Sequence, residues 1–472
     1  MSKTIFFTIQ RTLLMAAFLI ACSAANASFY AVGHPNIDTG SDSAGFIFVF
    51  GSEGTAGMAT SNDGFSESFT IDASGVVQIN VPLAQYLDED NTVLDRAILV
   101  EADDPISGYF LNRRDSSTDQ SFLFDIDGLG TNYRVMSWSQ SFGEGLQFSI
   151  TAVEDGTTVT VTPSVNLISG QTADSSFNVS LDAGQSVIYV SSSGNDPTGT
   201  EIVANNPIAV FGGAACAQVP PGVVACDHLF SQIPSVSNYS SEFIVTETPN
   251  TGGAGNVVRI LAGTDNTEVT VNGSVLATLD AGEFVDINPA TDLAVSASNP
   301  VMVGQYLKGT EQTGDLGDPA FSIVTGLDSL LDAYAYTTPV GSAEFEDNFL
   351  TIAIETASLG SLMLNGAAVD TSGFAAFDTT GFSIGTIPVD AGAGFIEASV
   401  PFVASVTGFD DADSYHTIIG ATFSPGASPD PDPDPDPDPD PAPQTFAVSV
   451  LTPVPLVVLI LTALMIGLIR LR

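Results

Sequence analysis

The chain has 472 residues, 55 of them acidic and 10 basic, with a formal net charge of −45. Four of the basic residues (Lys3, Arg11, Arg470, Arg472) lie in the two end segments, which leaves residues 28–441 with 6 basic side chains against all 55 acidic ones. Such a field excludes nucleic acid and anionic lipid as partners and suits cations and salty surroundings.

Taken in chain order, residues 1–27 read as a secretory signal peptide. Lys3 and Arg11 precede an apolar run from Leu13 to Ile20, and Ala25-Asn26-Ala27 places cleavage before Ser28. Leu19-Ile20-Ala21-Cys22 also fits a lipoprotein signal acylated at Cys22. Both readings export the chain.

From residue 28 to 423 no amphipathic helix exceeds a couple of turns. Short β-branched runs such as Thr157-Thr158-Val159-Thr160-Val161 alternate with Gly, Asn, Asp and Pro, which predicts an all-β fold. Asn272-Gly273 and Asn365-Gly366 lie between such runs and predict type I′ hairpin turns.

Two markers recur along this body. A strand, a proline and a second strand repeat around Pro105, Pro207, Pro300 and Pro401, spaced 102, 93 and 101 residues apart. An apolar-Asp-Ala-Gly turn repeats at Asp182, Asp280 and Asp390, with a looser version at Asp72, spaced 110, 98 and 110 apart. Together they predict four tandem β-sandwich-like units of roughly 100 residues each, at 28–140, 141–238, 239–338 and 339–423. The prolines should break a ladder and let the next strand cross to the other sheet.

Cys216 and Cys226 flank a Gly/Pro-bearing loop of an exported chain and predict a disulfide. A metal site with His228 is the alternative, although two thiols and one imidazole fall short of a closed zinc set. Acidic clusters at Asp88 and Asp90, Asp125 and Asp127, and Asp410, Asp411 and Asp413 are the candidate ligands for structural calcium; no other cofactor is expected.

Residues 424–445 form a linker in which six Pro-Asp pairs run from Pro429 to Asp440. Fixed proline torsions and like-charge repulsion predict an extended stalk on the order of 40 Å. Beyond it, residues 446–472 hold an apolar stretch followed by Arg470 and Arg472, which predicts a transmembrane anchor with a cytoplasmic C-terminus, or a removable sorting signal around Thr452-Pro453-Val454-Pro455.

Several segments share a pattern with a known family: Phe148 to Val159, Pro207 to Gly213, Cys226-Asp227-His228-Leu229 with Gln232-Ile233-Pro234, Arg259-Ile260-Leu261-Ala262 with Asn266 to Gly273, and Gly304 to Gly309. Over roughly residues 145–355 the chain resembles the N-terminal domain family of the IgGFc-binding protein. The resemblance implies an extracellular binding or adhesion module with no known catalytic site. On that basis the chain reads as a non-enzymatic, exported, membrane-anchored surface protein whose partner is an extracellular protein or glycan.

Two alternatives are carried alongside. The first is a self-associating envelope or biofilm-matrix component. The second is a secreted hydrolase, using Asp38 in an Asp-Thr-Gly loop, for which the loops at Asp370 and Asp378 are each one residue too long to be the partner, or Ser383 in a Gly-x-Ser-x-Gly elbow followed by Asp410, Asp411 and His416. The predicted strand around Ser383 opposes the elbow.

Overall fold

The computed structural model describes residues 28–423, apart from 38–43, 115–116, 144, 250, 314–315 and 378–379. The signal segment with Cys22, the Pro-Asp linker, the apolar C-terminal segment, Asp38 and Asp378 lie outside the described residues.

The regular structure of the described chain is mostly strand, with a few short helical turns. The first repeat comprises β1 (Ser28–Ala31), β2 (Ala44–Gly51), β3 (Ala56–Thr60), β4 (Ser66–Thr70), β5 (Val76–Val81), β6 (Ile98–Ala102), β7 (Ile106–Arg114) and β8 (Ser117–Leu123). The second holds β9 (Gly130–Arg134), β10 (Leu146–Ala152), β11 (Thr157–Thr162), β12 (Phe177–Leu181), β13 (Ser186–Ser191), β14 (Glu201–Gln218) and β15 (Cys226–Ile233). The third holds β16 (Ser240–Val245), β17 (Asn256–Ala262), β18 (Thr267–Val271), β19 (Ser274–Leu279), β20 (Phe284–Ala290), β21 (Leu293–Tyr306) and β22 (Phe321–Ile323). The fourth holds β23 (Leu331–Thr337), β24 (Asp347–Glu355), β25 (Met363–Leu364), β26 (Ala367–Ala368), β27 (Ala375–Ala376), β28 (Phe382–Val389), β29 (Ala393–Asp410) and β30 (Asp413–Ile418).

One antiparallel pattern runs through all four. In the first repeat it is two separate sheets, β1-β6-β3-β4 and β5-β2-β7-β8. In the other three, β6 and β7 are replaced by one long strand (β14, β21, β29) that belongs to both sheets. Its first half pairs with the opening strand and a hairpin, and its second half with a central strand and the closing strand. Pro105 separates β6 from β7, as the ladder-breaking expectation requires. Pro207, Pro300 and Pro401 instead lie inside the continuous strands. Each sits where the register of the opening strand shifts and the neighbours change, so no ladder bond needs the missing N–H.

The pairing also places the starts of two repeats earlier than the expected 141 and 339. β9 pairs with β14, and β23 with β29.

Both Asn-Gly pairs form the predicted turns. Asn272 and Gly273 have φ of 49° and 74°, Asn365 and Gly366 of 51° and 76°, and each pair closes a two-residue hairpin. The Asp-Ala-Gly marker works as a clasp in the second and third repeats. Asp182 accepts from Gly156 N while Asp155 accepts from Ala183 N, and Asp280 accepts from Asn266 N while Asp265 accepts from Ala281 N. In those repeats the marker precedes β13 and β20. In the fourth it follows β28 and leads into β29, so Asp390 occupies a different step of the repeat from Asp182 and Asp280.

The closing strands β8, β15, β22 and β30 meet around a common axis, each lying against two of the others. β8, β15, β22 and β30 are therefore buried on both faces, and polar side chains among them, such as Thr118, Asp119 and Gln232, face neighbouring repeats instead of water.

Candidate functional site

The axis is a sealed polar core. Asp119 Oδ2 on β8 accepts from Phe230 N of the second repeat (2.9 Å) and Phe321 N of the third (2.8 Å). Thr118 N donates to Asp227 Oδ1 (2.7 Å) and Thr118 Oγ1 to Asp413 Oδ2 (3.0 Å), which ties the first repeat to the second and fourth. Phe122 N donates to Thr417 Oγ1 and Phe124 N to Gln232 Oε1. All these side chains are buried. Burial pushes Asp119 well above the usual carboxylate range, against the backbone N–H donors that favour its charge. Asp227 also moves well above that range, through burial and then the nearby Asp413 and Asp318. Burial lifts Asp318 and Asp413 to about 7.

The three histidines belong to this interior. His34 Nε2 bonds Ser149 Oγ (2.6 Å), His228 Nε2 bonds Asn112 Nδ2 (2.8 Å), and His416 Nδ1 bonds Thr407 Oγ1 (2.8 Å). Burial lowers His228 to about 3 and His416 to about 4, so both stay neutral and act as hydrogen-bonding spacers.

Cys216 and Cys226 are joined by a disulfide that staples the loop between β14 and β15. His228 turns into the core beside Asn112 and joins no zinc set. Among the described residues, no three Asp, Glu, His or Cys side chains converge closely enough to hold a metal ion.

The acidic clusters singled out for calcium are engaged by groups of the chain itself. Asp88 pairs with Arg96, Asp90 accepts from Val190 N, and Asp410 accepts from Asp411 N. Asp125 accepts from Asp127 N and from Ser28 N, and burial raises it to about 6. Asp413 lies on the axis, apart from the exposed Asp411.

Among the described residues, Ser383, His416 and Asp370 are not brought into a hydrolase site. Ser383 is buried inside strand β28 and bonds Thr356 Oγ1 (2.9 Å), so no strand-turn-helix elbow exists there. His416 bonds Thr407 and Gln305, and no hydrogen bond links it to Ser383. Asp370 is exposed and accepts from Ser372 N within its own turn.

Two features were not legible in the sequence. The first is Arg259 on β17, 1 % exposed. It donates to Asp196 of the second repeat (2.7 Å) and, with Nε and Nη2, to both carboxylate oxygens of Asp286 (2.8 and 2.9 Å). Its guanidinium also lies 4.0 Å from the Phe284 ring and 4.9 Å from that of Trp138. Burial opposes its charge, but the two aspartates outweigh that and hold it protonated. The second is a cleft of about 590 Å³ at one corner of the fourth repeat, lined by Tyr336, Glu346, Asp347, Asn348, Phe349, Leu364, Asn365 and the Pro388–Ala393 turn. Burial, with Asp390 adding to it, moves the Tyr336 phenol up to about 12.

An all-β body of stacked two-sheet repeats with a disulfide-stapled loop is the class that these features define. The family model described as IgGFc binding protein matches residues 119–408, more than half of the chain, and the chain belongs to that family. The match runs from β8 into β29, wider than the 145–355 carried by the sequence segments. The human IgGFc-binding protein is 21% identical over 322 residues, which are 65% of this chain and 6% of that one. This chain thus corresponds to a small part of that protein's length. Two solved structures are also similar over much of the chain. One, titled "Ca2+-stabilized adhesin helps an Antarctic bacterium reach out and bind ice", is 12% identical and covers 85% of this chain and 99% of its own, at a TM-score of 0.12. The other, "Biofilm associated protein - BSP domain", is 8% identical and covers 86% and 97%, at 0.14. At those scores the backbones do not superpose, and neither structure carries an argument here.

Among the described residues no helix is long and apolar enough to cross a membrane.

Proposed function

We propose that this chain is a non-catalytic extracellular binding module. The family match over residues 119–408 is the observation that carries the reading. The buried axis supports it, because Thr118, Asp119, Asp227 and Asp413 there bond from one repeat to another. Export by residues 1–27, a Pro-Asp stalk and a membrane-held C-terminus complete the proposal. The partner is an extracellular protein or a glycan. Antibody Fc, which stands in the human relative's name, is one protein to include in the test.

Cells displaying the full-length chain should capture a ligand from an array of immobilised extracellular proteins and glycans, whereas cells carrying the empty vector should not. Equal capture by both, together with turnover of ester or peptide substrates that depends on the chain, would overturn the reading.

A self-associating matrix component is the second reading. It is favoured by the edge strand β19, whose Val275 and Leu276 are 62% and 44% exposed. Light scattering of the full chain across concentration, with and without calcium, tests it; a constant mass would remove it.

A further inference from the structure

The two ends of the body meet at one place. β1 begins at Ser28, which is 2% exposed and pairs across the strands with Glu101 of β6. The Phe29 ring fills the space over Gly108, where a Cβ would come within 2.2 Å of it, and this fixes the position of β1. The turn at Ile126–Gly128 lies against β1. The same turn seats Phe423, the last described residue before the Pro-Asp linker. The Phe124 and Phe423 ring centroids are 4.8 Å apart, and a Cβ on Gly128 would stand 3.2 Å from that of Phe423.

Asp125 opens this turn. Its Oδ1 accepts from Asp127 N (2.9 Å) and its Oδ2 from Ser28 N (3.3 Å). Both donors are backbone nitrogens, and among the described residues no arginine or lysine bonds to this carboxylate. The charged neighbours are acidic as well: Asp127 two residues on, and Glu101 across from Ser28. A carboxylate withdrawn from water needs a cation or several good donors to offset its desolvation. Asp125 has one good amide bond and one long one.

Ser28 is also the residue that follows the cleavage signal Ala25-Asn26-Ala27. Hydrolysis of the Ala27–Ser28 bond consumes one water and leaves a carboxylate on Ala27 and an amine on Ser28. Because Ser28 is buried in the folded body, the bond is cut before β1 packs. An α-amine has an ordinary pKa of about 7.7–8.0, so it is mostly protonated at neutral pH. The nitrogen beside Asp125 then carries three hydrogens and a positive charge in place of one amide hydrogen. Charge-assisted hydrogen bonds are shorter and roughly twice as strong as neutral ones.

We propose that removal of the leader converts the Ser28–Asp125 contact into an ion pair, so that processing itself fastens the first strand to the corner from which the linker leaves. The inference rests on the reading that residues 1–27 are cut off before Ser28, and names what that cut creates.

The test uses the full-length chain expressed with its own leader in an exporting host. Mass spectrometry of the purified protein should find Ser28-Phe29-Tyr30-Ala31 at its N-terminus. Acetylation of the Ser28 amine by an N-hydroxysuccinimide ester is then followed from neutral to alkaline pH, beside a synthetic Ser-Phe-Tyr-Ala peptide. An ion pair raises the midpoint of the pH–rate profile by about one unit or more, which is about tenfold less free amine at neutral pH. Burial without pairing slows labelling at every pH and leaves the midpoint at that of the peptide. In the D125N variant the midpoint should return to the peptide's value, whereas D127N, which removes an exposed acid of the same turn, should keep the wild-type midpoint. Unfolding the wild type in urea should also return the midpoint, a comparison that needs no variant to fold.

A folded wild-type midpoint equal to the peptide's, or equal shifts in D125N and D127N, would overturn the proposal and leave the cleavage reading intact. A chain that keeps its leader, or begins at an acylated Cys22, would overturn both.

Discussion

Arg259→Met is the substitution with the most to reveal about how the repeats are held together. Methionine keeps much of the apolar stem's volume between Trp138 and Phe284 but removes the guanidinium. Asp196, whose side chain is 14% exposed, is then left in a mostly buried site without its counter-ion, while Asp286 at 36% can be rehydrated in part. Removing one partner of a buried pair costs about 3–5 kcal/mol. Arg259 Nη1 also donates to Ser137 O, which keeps the Tyr306 hydroxyl (2.7 Å) as a donor when the guanidinium is lost; that and the exposure of Asp286 place this case near about 3 kcal/mol. That corresponds to roughly two orders of magnitude in the unfolding equilibrium. The chain has a single tryptophan, Trp138, and its ring is 4.9 Å from the guanidinium. Urea unfolding followed by its fluorescence therefore reads this junction directly. Adding Asp196→Asn and Asp286→Asn to Arg259→Met should recover part of the loss, because no uncompensated charge remains. A single variant within about 1 kcal/mol of wild type, or a triple variant no more stable than the single, would refute the argument.

Three further outcomes are expected. Replacing both Cys216 and Cys226 by serine opens a loop with a sequence separation of 10. It should cost about 3 kcal/mol on the chain-entropy estimate, and a shift in the urea midpoint under oxidising conditions checks it; no shift would mean that the loop is held by its other bonds. Burial raises Asp318 and Asp413 to about 7, so the folded chain keeps protons that the unfolded chain releases. Their contribution to stability is present at acid pH and is lost as pH rises from the ordinary carboxylate range through about 7; midpoints measured across that window should fall, and Asp413→Asn should flatten the fall. An Asn variant with an unchanged slope would show that other groups set it. Gly213→Ala would put a Cβ 1.7 Å from Leu229 O on the paired strand, whereas Gly54→Ala meets nothing within 4 Å and bears only its positive φ of 93°. The first should destabilise by more than about 3 kcal/mol or prevent folding, and the second by about 1–2 kcal/mol; thermal melts ranked the other way would contradict the strand geometry.

What could be read from the sequence was what depends on neighbours along the chain. An Asn-Gly pair between β-branched runs takes up positive φ wherever it occurs, and both such turns formed at residues 272–273 and 365–366. The all-β character came from alternating patterns of the same short range, and the Cys216–Cys226 bridge from two cysteines ten residues apart in a loop. The family relation was legible because its segments keep their order and residue types, although the match at 119–408 extends past them on both sides.

What only the tertiary structure decided depends on residues brought together from separate strands. Thr118, Asp119 and Gln232 carry no local signal that sets them apart from other polar residues of strands. They are buried because β8, β15, β22 and β30 close against one another; the Asp119 and Gln232 side chains then accept from backbone N–H groups of other repeats, and the Thr118 hydroxyl donates to Asp413. The Asp-Ala-Gly motif before β29 has the residues of the earlier clasps, but its place in the strand order differs, and Asp390 is left facing a cleft. Arg259 and Asp196 are 63 residues apart and share no motif. A turn is specified by the torsions of its own residues. A buried ion pair or an open corner exists only once separate strands have packed, and its energy depends on the solvent that this packing excludes.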